Sequence, residues 1–160
     1  MHRSTLKTIE LGGIYGDRPF NFTCFPELKH LQVLTYYPRL TPEQAAALYL
    51  APQLESVFLY YDCDGDHGPL WYDFALTEVE WVIKFAEYAV SNRSPLRRIQ
   101  IEFDPTEFFY VEEHATSAYP LDLMEILADT LRSRGISLLY NEIRISREDF
   151  ERMVRAPCAE

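Results

Sequence analysis

Pro52-Gln53-Leu54-Glu55-Ser56-Val57-Phe58-Leu59-Tyr60-Tyr61-Asp62 is the stretch that decides the fold, because two other stretches of the chain repeat its pattern. Residues 26–33 and 95–104 also begin with proline, soon reach leucine and then place apolar residues at steps of three and two. Self-similarity of this kind is typical of repeat architectures, in which each unit buries its apolar face against its neighbours. The chain is therefore predicted to be a stack of similar units.

The composition is that of one folded, acidic domain. At 160 residues the chain is long enough to bury a sizeable core, and its 48% hydrophobic and 14% aromatic residues can form one. The formal net charge of −10 at pH 7 disfavours nucleic acid and anionic membranes as partners, because both bind cationic surfaces. A basic protein partner is compatible with this charge.

The cysteines and the N-terminal residues predict where the protein resides. Cys24, Cys63 and Cys158 stand far apart and form no C-x-x-C motif, so a disulfide framework is not expected. The first residues contain no apolar run of signal-peptide length, and no window has the roughly 20 apolar residues that cross a membrane. The sequence therefore predicts a protein of the reducing cytoplasm or nucleus.

Apolar spacing predicts strands that alternate with helices. The predicted strands cover residues 6–11, 28–33, 54–59, 96–101 and 136–145. The predicted helices cover residues 42–50, 77–90, 121–133 and 146–154. Strands that alternate with helices predict parallel pairing through right-handed crossovers.

Local signals mark the ends of these elements. Thr41 and Thr77 each stand three residues before a glutamine or glutamate, which is the spacing of a capping box. Gly135 suits the left-handed position that follows a helix. In the last strand, the apolar pattern assigns Ile136 and Leu139 to the core.

The units share the pattern L-x-x-[LIV]-x-[LIV] with the leucine-rich repeat family, which the chain resembles. The residues that carry the resemblance are Leu28, Leu31 and Val33, then Leu54, Val57 and Leu59, then Leu96, Ile99 and Ile101. The resemblance implies an α/β fold, a short irregular leucine-rich-repeat-like solenoid with about five parallel strands on one side and helices and long loops on the other. Residues 1–155 would form a single repeat domain, with residues 156–160 as a disordered tail.

Two features depart from the usual pattern of the family. Successive units begin 22, 26 and 42 residues apart, whereas the family period is roughly 20–29 residues. Asp62 and Asp104 stand where the family usually has asparagine or cysteine. An ionised carboxylate accepts hydrogen bonds but donates none, so the ladder between units would be partial.

The irregular spacing, with proline opening each strand, resembles the repeat region of F-box proteins, those of fungi in particular. This resemblance implies a non-enzymatic protein–protein interaction module, with substrate recognition for a ubiquitin ligase as its role. Nothing before Leu6 resembles the helical F-box, so the chain is expected to be a fragment, a truncated relative or a protein that kept only the repeats. The first strand would then leave an open sheet edge, which favours a homodimer or docking onto another domain.

Side chains between the core positions of such a stack line one concave face. Glu10, Gln32, Phe58 and Gln100 would form one column of that face, and Gly12, Leu34, Tyr60 and Glu102 the next. Aromatic side chains on a surface of this kind are typical binding anchors. The predicted partner-binding residues are Gln32, Phe58, Tyr60, Gln100 and Glu102. The alternative is a structural unit in which a long loop, such as residues 108–111, covers the aromatic rings.

The loop of residues 62–73 has the carboxylate spacing of a calcium site. Its candidate ligands are Asp62, Asp64, Asp66 and Asp73. Against calcium, His67 stands where such a loop needs glycine, the twelfth residue is not glutamate, and a strand precedes the loop instead of a helix. The alternative is a solvated acidic turn in which Asp62 caps its strand.

Other chemistry finds less support in the sequence. A zinc site at Cys63 and His67 would need Cys24 or His30 from neighbouring units to complete four ligands. Several carboxylates and one histidine cluster in the loop of residues 104–114, where a carboxylate pair could act in acid–base chemistry, but a solvated loop face is the preferred interpretation. No hydrolase, zinc-protease or phosphate-loop motif occurs in the sequence, so no enzyme activity, cofactor or bound metal is expected.

Overall fold

The computed structural model describes residues 4–11, 20–34, 40–61, 76–103, 119–140 and 146–155. Within these residues the chain forms an α/β fold with a five-stranded, all-parallel sheet and four helices. The strands are β1 (Thr8–Glu10), β2 (His30–Leu34), β3 (Ser56–Tyr61), β4 (Arg98–Phe103) and β5 (Ser137–Tyr140). The helices are α1 (Pro42–Tyr49), α2 (Leu76–Ser91), α3 (Pro120–Arg132) and α4 (Arg147–Arg155). The predicted alternation of parallel strands and helices is confirmed for these elements.

The strands lie in the sheet in the order in which they occur in the chain, β1-β2-β3-β4-β5, and the sheet does not close. Crossovers between parallel strands are nearly always right-handed. When every crossover moves in the same direction across the sheet, as this strand order requires, the helices lie on one face of the sheet. Burial agrees with this arrangement. Leu31, Val57 and Ile99 are at most 1% exposed, whereas His30 and Arg98, which point the other way, are exposed. We call the face without helices the open face.

The hydrophobic core lies between the sheet and the helices. Its fully buried residues include Leu28, Leu54 and Ile101 from the strands and their approaches, Val82, Phe85 and Ala86 from α2, and Met124, Leu127 and Leu131 from α3. Phe22, in the loop between β1 and β2, is also buried, and its amide donates to the carbonyl of Leu48 at 2.8 Å. Burial of one side chain of this size contributes about 1.5–3 kcal/mol, so this layer is the main source of stability.

The predicted helix-end signals are confirmed at α1 and after α3, but not at α2. Thr41 Oγ1 accepts from the Gln44 amide at 3.2 Å, and the Thr41 amide donates to Gln44 Oε1 at 2.9 Å. Gly135 has a φ of +75° with open space around it, so its left-handed backbone alone favours glycine. The helix α2 begins at Leu76, which places Thr77 inside the first turn. The capping box predicted at Thr77 is therefore wrong, because the helical backbone extends upstream of the polar signal.

One buried ring and one ion pair fix α4 to the start of α3. Phe150 is 1% exposed, and its ring meets that of Tyr119 edge-on, with centroids 5.6 Å apart. Arg147 donates to both carboxylate oxygens of Asp122, at 3.0 and 2.5 Å. The Arg147 guanidinium also lies 4.6 Å from the centre of the Tyr119 ring. A forked ion pair combined with ring contact is more specific in geometry than a single charge pair.

The register of β5 differs from the one that the sequence predicts. Ile99 lies beside Leu138 rather than Leu139. Leu138 packs against the core while Leu139 is 45% exposed, so the prediction that Leu139 lies in the core is wrong. The physical cause is the turn of residues 133–135, which brings Ser137 into the sheet as the first strand residue. A shift of one residue exchanges the two faces of a strand.

The strand β1 forms one edge of the sheet, and its apolar side chains are less buried than those of the inner strands. Leu6, just before β1, is 43% exposed, and Ile9 and Leu11 are partly buried. The matching residues at β2, Leu28 and Leu31, are at most 1% exposed. Within the described residues no strand pairs with the outer side of β1, so backbone groups and apolar surface face outward together there.

Single alanine substitutions of Leu138 and Leu139 test the register of β5. Leu138→Ala is expected to lower the free energy of unfolding by about 1–2 kcal/mol, because a partly buried apolar side chain loses its contacts. Leu139→Ala is expected to change it by less than about 0.5 kcal/mol, because that side chain already faces solvent. Urea denaturation followed by circular dichroism measures both values. A larger loss for Leu139→Ala would contradict this register.

Candidate functional site

Parallel register arranges the side chains of the open face in rows that run across the strands. The amino-end row consists of Thr8, His30, Ser56, Arg98 and Ser137. The central row consists of Glu10, Gln32, Phe58, Gln100 and Leu139. By backbone register, the carboxyl-end row includes Leu34, Tyr60 and Glu102. Neighbouring residues of a row are about 4.8 Å apart, which is the spacing between strands.

The backbone register confirms that the residues of each predicted column lie on neighbouring strands, wherever the structure describes them. The central row contains the whole first column and adds Leu139 at its β5 end. The carboxyl-end row contains the second column except Gly12, which lies outside the described residues. The binding role of these residues stays a prediction.

The central row joins one aromatic ring to two amides. Gln32, Phe58 and Gln100 are half-buried, so part of each side chain faces outward while the rest contacts its surroundings. An amide offers both donors and an acceptor, and an aromatic ring offers a large apolar area with few rotatable bonds. Such a row can bind the backbone of a polypeptide through its amides and an apolar side chain through its ring.

Several predicted site residues are described in part or not at all. Tyr60 is described by its backbone, which lies between Leu34 and Glu102 in the sheet. The calcium candidates Asp62, Asp64, Asp66 and Asp73 lie outside the described residues, as do Cys63, His67 and residues 104–114. The roles assigned to them stay predictions.

The amino-end row contains a cross-strand contact that the sequence pattern did not reveal. His30 Nδ1 lies 2.7 Å from Ser56 Oγ on the open face. A serine beside a histidine is the geometry of a nucleophile and its base, but such a pair also needs a group that orients the ring. Within the described residues the His30 ring has no second hydrogen-bond partner. The contact is therefore interpreted as one that positions two polar groups.

At the amino ends of the strands, Glu55 holds two cations from the neighbouring strands. Lys29 Nζ lies 2.8 Å from Glu55 Oε1, and Arg97 donates to Glu55 Oε2. The Glu55 side chain is 20% exposed, against 71% for that of Arg97. The hydrogen bond from Lys29 holds the pKa of Glu55 below its ordinary value, with the positive charges of Arg97 and Lys29 acting in the same direction and desolvation acting against them.

The same backbone hydrogen bonds recur where the chain enters β2, β3 and β4. In each case one carbonyl accepts from two consecutive amides of the next unit, at 2.8–3.2 Å: Lys7 from Lys29 and His30, Lys29 from Glu55 and Ser56, and Glu55 from Arg97 and Arg98. Each of these strands therefore enters the sheet in the same way relative to its predecessor. This repetition fixes the rows of the open face.

The described residues contain neither a cluster of possible metal ligands nor a helix that could span a membrane. No group of three or more His, Cys, Asp or Glu side chains there could hold a metal ion. Cys24 is an exposed thiol whose Sγ donates to the carbonyl of Asn21 at 3.1 Å. Among α1 to α4 as described, none combines the length and the apolar composition that a membrane span requires.

Neither a protein-family model, nor a curated protein, nor a solved structure matches this chain. The resemblances to leucine-rich repeats and to F-box proteins therefore stay predictions. The rows of the open face and the charges at the strand ends are the observations from which a function is inferred.

Glu55→Gln tests what this carboxylate contributes to stability. A carboxylate with a lowered folded-state pKa stabilises the fold above the ordinary pKa of about 4.3, and this stabilisation is lost as the pH falls through the folded-state value. The urea midpoint of the wild type is therefore expected to exceed that of Glu55→Gln at neutral pH, and the difference should vanish in acid. Glu27→Gln, which removes an exposed carboxylate, is the control. A difference that is constant with pH would contradict the ion-pair explanation.

Proposed function

We propose that this chain is a non-enzymatic protein-binding module that binds its partner through the open face. The proposal includes the architecture, a short irregular leucine-rich-repeat-like solenoid in which each strand adds one residue to each row. Two observations support the solenoid: the strand order equals the chain order, and the hydrogen bonds at the entries of β2, β3 and β4 recur.

The observation that carries the binding proposal is the alignment of Gln32, Phe58 and Gln100 on three adjacent strands. A polypeptide laid across these strands would meet an aromatic ring with an amide on either side. Each of the three strands has a neighbour on both sides, so their backbones are held before a partner arrives. Preorganisation of this kind lowers the entropic cost of binding.

Substrate recognition for a ubiquitin ligase is the more specific form of this proposal. It rests on the resemblance of the repeat pattern to F-box proteins. In this form the open face would contact the substrate, and a separate domain would contact the ligase. Ubiquitin-ligase subunits among purified partners would support it.

Phe58→Ala is expected to reduce recovery of the specific partners by at least about tenfold, because truncation of an aromatic anchor costs a large share of binding energy. Affinity purification from the cells of origin, followed by quantitative mass spectrometry, measures the recovery of each partner. The purified variant is also compared with the wild type by circular dichroism and thermal unfolding.

Tyr88→Ala is the matched control for this experiment. Tyr88 is 37% exposed on α2, in the helix layer, so the variant loses an aromatic ring away from the open face. It is expected to keep the partners of the wild type. Unchanged partners together with lower stability in Phe58→Ala would contradict the proposal and indicate that Phe58 has a structural role.

Self-association through the outer side of β1 is a second candidate function. It is favoured by the exposure of Leu6, which is 43% exposed beside a strand with no described outer neighbour. Ile9 and Leu11 add partly buried apolar surface at the same place. A sheet edge with apolar side chains is a template for pairing with a strand of a second copy.

Leu6→Lys is expected to shift a dimer towards the monomer, because a lysine at a sheet edge opposes pairing with another chain. Sedimentation equilibrium over a wide concentration range measures the dissociation constant. Leu76→Lys is the control, since Leu76 is 55% exposed at the start of α2. A wild type that is monomeric at every concentration would contradict this candidate.

A further inference from the structure

The amino ends of the strands, where the amino-end row lies, differ in charge from the chain as a whole. The residues of the row are hydroxyls, one imidazole and one guanidinium, and the row contains no carboxylate. The adjacent positions at the strand entries add Lys7, Lys29 and Arg97, with Glu55 as the one acid in that line. Arg98 is the one cation of the row itself, and together with the strand entries the amino ends of the strands hold four cations and one anion. With histidine counted as neutral, this region has a net charge of +3 in a chain whose net charge is −10.

Two of these cations have no acidic partner within the described residues. Lys29 and Arg97 share Glu55, whereas neither Lys7 nor Arg98 forms an ion pair there. The Arg98 side chain is exposed on the open face. Its planar fork of N–H donors is suited to a carboxylate, which it can bind through two parallel hydrogen bonds.

The contact between His30 and Ser56 positions an imidazole in the same row, and the Nε2–H tautomer of that ring provides a second donor there. Ser56 bonds Nδ1 of the imidazole, and Nε2 has no partner within the described residues. Ser56 lies between His30 and Arg98, so these two side chains stand two strand spacings apart, about 10 Å. The row therefore offers separated donors along a line that crosses the strands.

The central row supplies apolar surface beside these donors. Phe58 is half-buried and Leu139 is 45% exposed. The two rows are two residues apart along each strand, about 7 Å. An extended peptide that lies between them, across the strands, points alternate side chains towards one row and then the other.

We propose that the open face binds an acidic, extended segment of a protein partner, in which carboxylates alternate with apolar side chains. The carboxylates bind Arg98, His30 and the hydroxyls of the amino-end row, and the apolar side chains contact Phe58 and Leu139. This inference rests on the proposed function, because it assigns a ligand chemistry to the same face. It differs from the basic partner that the net charge alone allows.

The acidity of the rest of the chain does not oppose such a contact strongly. At physiological ionic strength the Debye length is about 8 Å, so a carboxylate that touches Arg98 responds mainly to charges close to that row. The helix layer lies on the other side of the sheet. On the open face, Glu10 lies in the central row and Glu102 in the carboxyl-end row, so both carboxylates lie outside the amino-end row.

A fluorescent peptide of about four Glu-Leu repeats, which spans roughly 26 Å when extended, is the probe. It is expected to bind the full chain saturably, with a Kd below about 1 mM by anisotropy. Amide shifts in NMR spectra are expected to concentrate at the starts of β2, β3 and β4. The same peptide with glutamine in place of glutamate is expected to bind at least about tenfold more weakly.

Arg98→Glu is expected to weaken binding of the Glu-Leu peptide by about tenfold or more, and Arg98→Gln by a smaller factor. Arg98 is exposed, so both variants are expected to fold, which circular dichroism checks. Lys84→Glu makes the same change of charge on an exposed position of α2 and is expected to leave the affinity within about twofold. Phe58→Ala is expected to weaken binding as well.

Any of three results with the peptides would overturn the inference: no saturable binding by the wild type, equal weakening by Arg98→Glu and Lys84→Glu, or equal binding of the glutamine peptide. Binding of a single-stranded oligouridylate that Arg98→Glu abolishes, without binding of the peptide, would also overturn it and indicate a phosphate ligand.

If Phe58→Ala nevertheless loses the native partners, the proposed function stands and only the acidic ligand fails. If substitutions at both Arg98 and Phe58 leave all binding unchanged, both proposals fail.

Discussion

The direction in which the chain crosses from strand to strand is the constraint on which the rest of the structure depends. Every described pairing joins consecutive strands, so the crossovers step the same way and the helices collect on one face. That face buries Leu31, Val57 and Ile99. All-parallel sheets that reverse their strand order cover both faces with helices and place ligands where the order reverses. Among the strands that the structure describes no such reversal occurs, so the described sheet has no switch point of that kind.

Much of the fold could be predicted from local pattern, because the apolar steps of three and two determine both a strand and its buried side. They assign the core residues of β2, β3 and β4 correctly. They fail at β5, where Leu139 has the expected residue type but the turn after α3 sets the register. The apolar period carries no information about how many residues a turn consumes, and one residue is enough to exchange the faces.

The composition of the site was predictable, whereas its contacts were not. His30, Ser56 and Arg98 each stand two residues after the first leucine of their unit, and this shared offset is the signal that places them in one row. Which of them are bonded to each other depends on side-chain conformations across units. The link from Glu55 to Lys29 and Arg97 depends on the same kind of information. A whole-chain charge of −10 also averages over surfaces of opposite sign and conceals the net positive charge at the amino ends of the strands.

The sequential strand order also bears on how the molecule assembles and comes apart. Among the described residues each strand pairs only with the strands before and after it in the chain, so the sheet can start from strands that are consecutive in the chain. Folding can begin at an inner pair and extend outward, and an outer strand can detach while β3 keeps both neighbours. A repeat solenoid of the kind that we propose for this chain can gain or lose a terminal unit without rebuilding its middle. The length of its sheet is therefore a property that evolution can change one unit at a time.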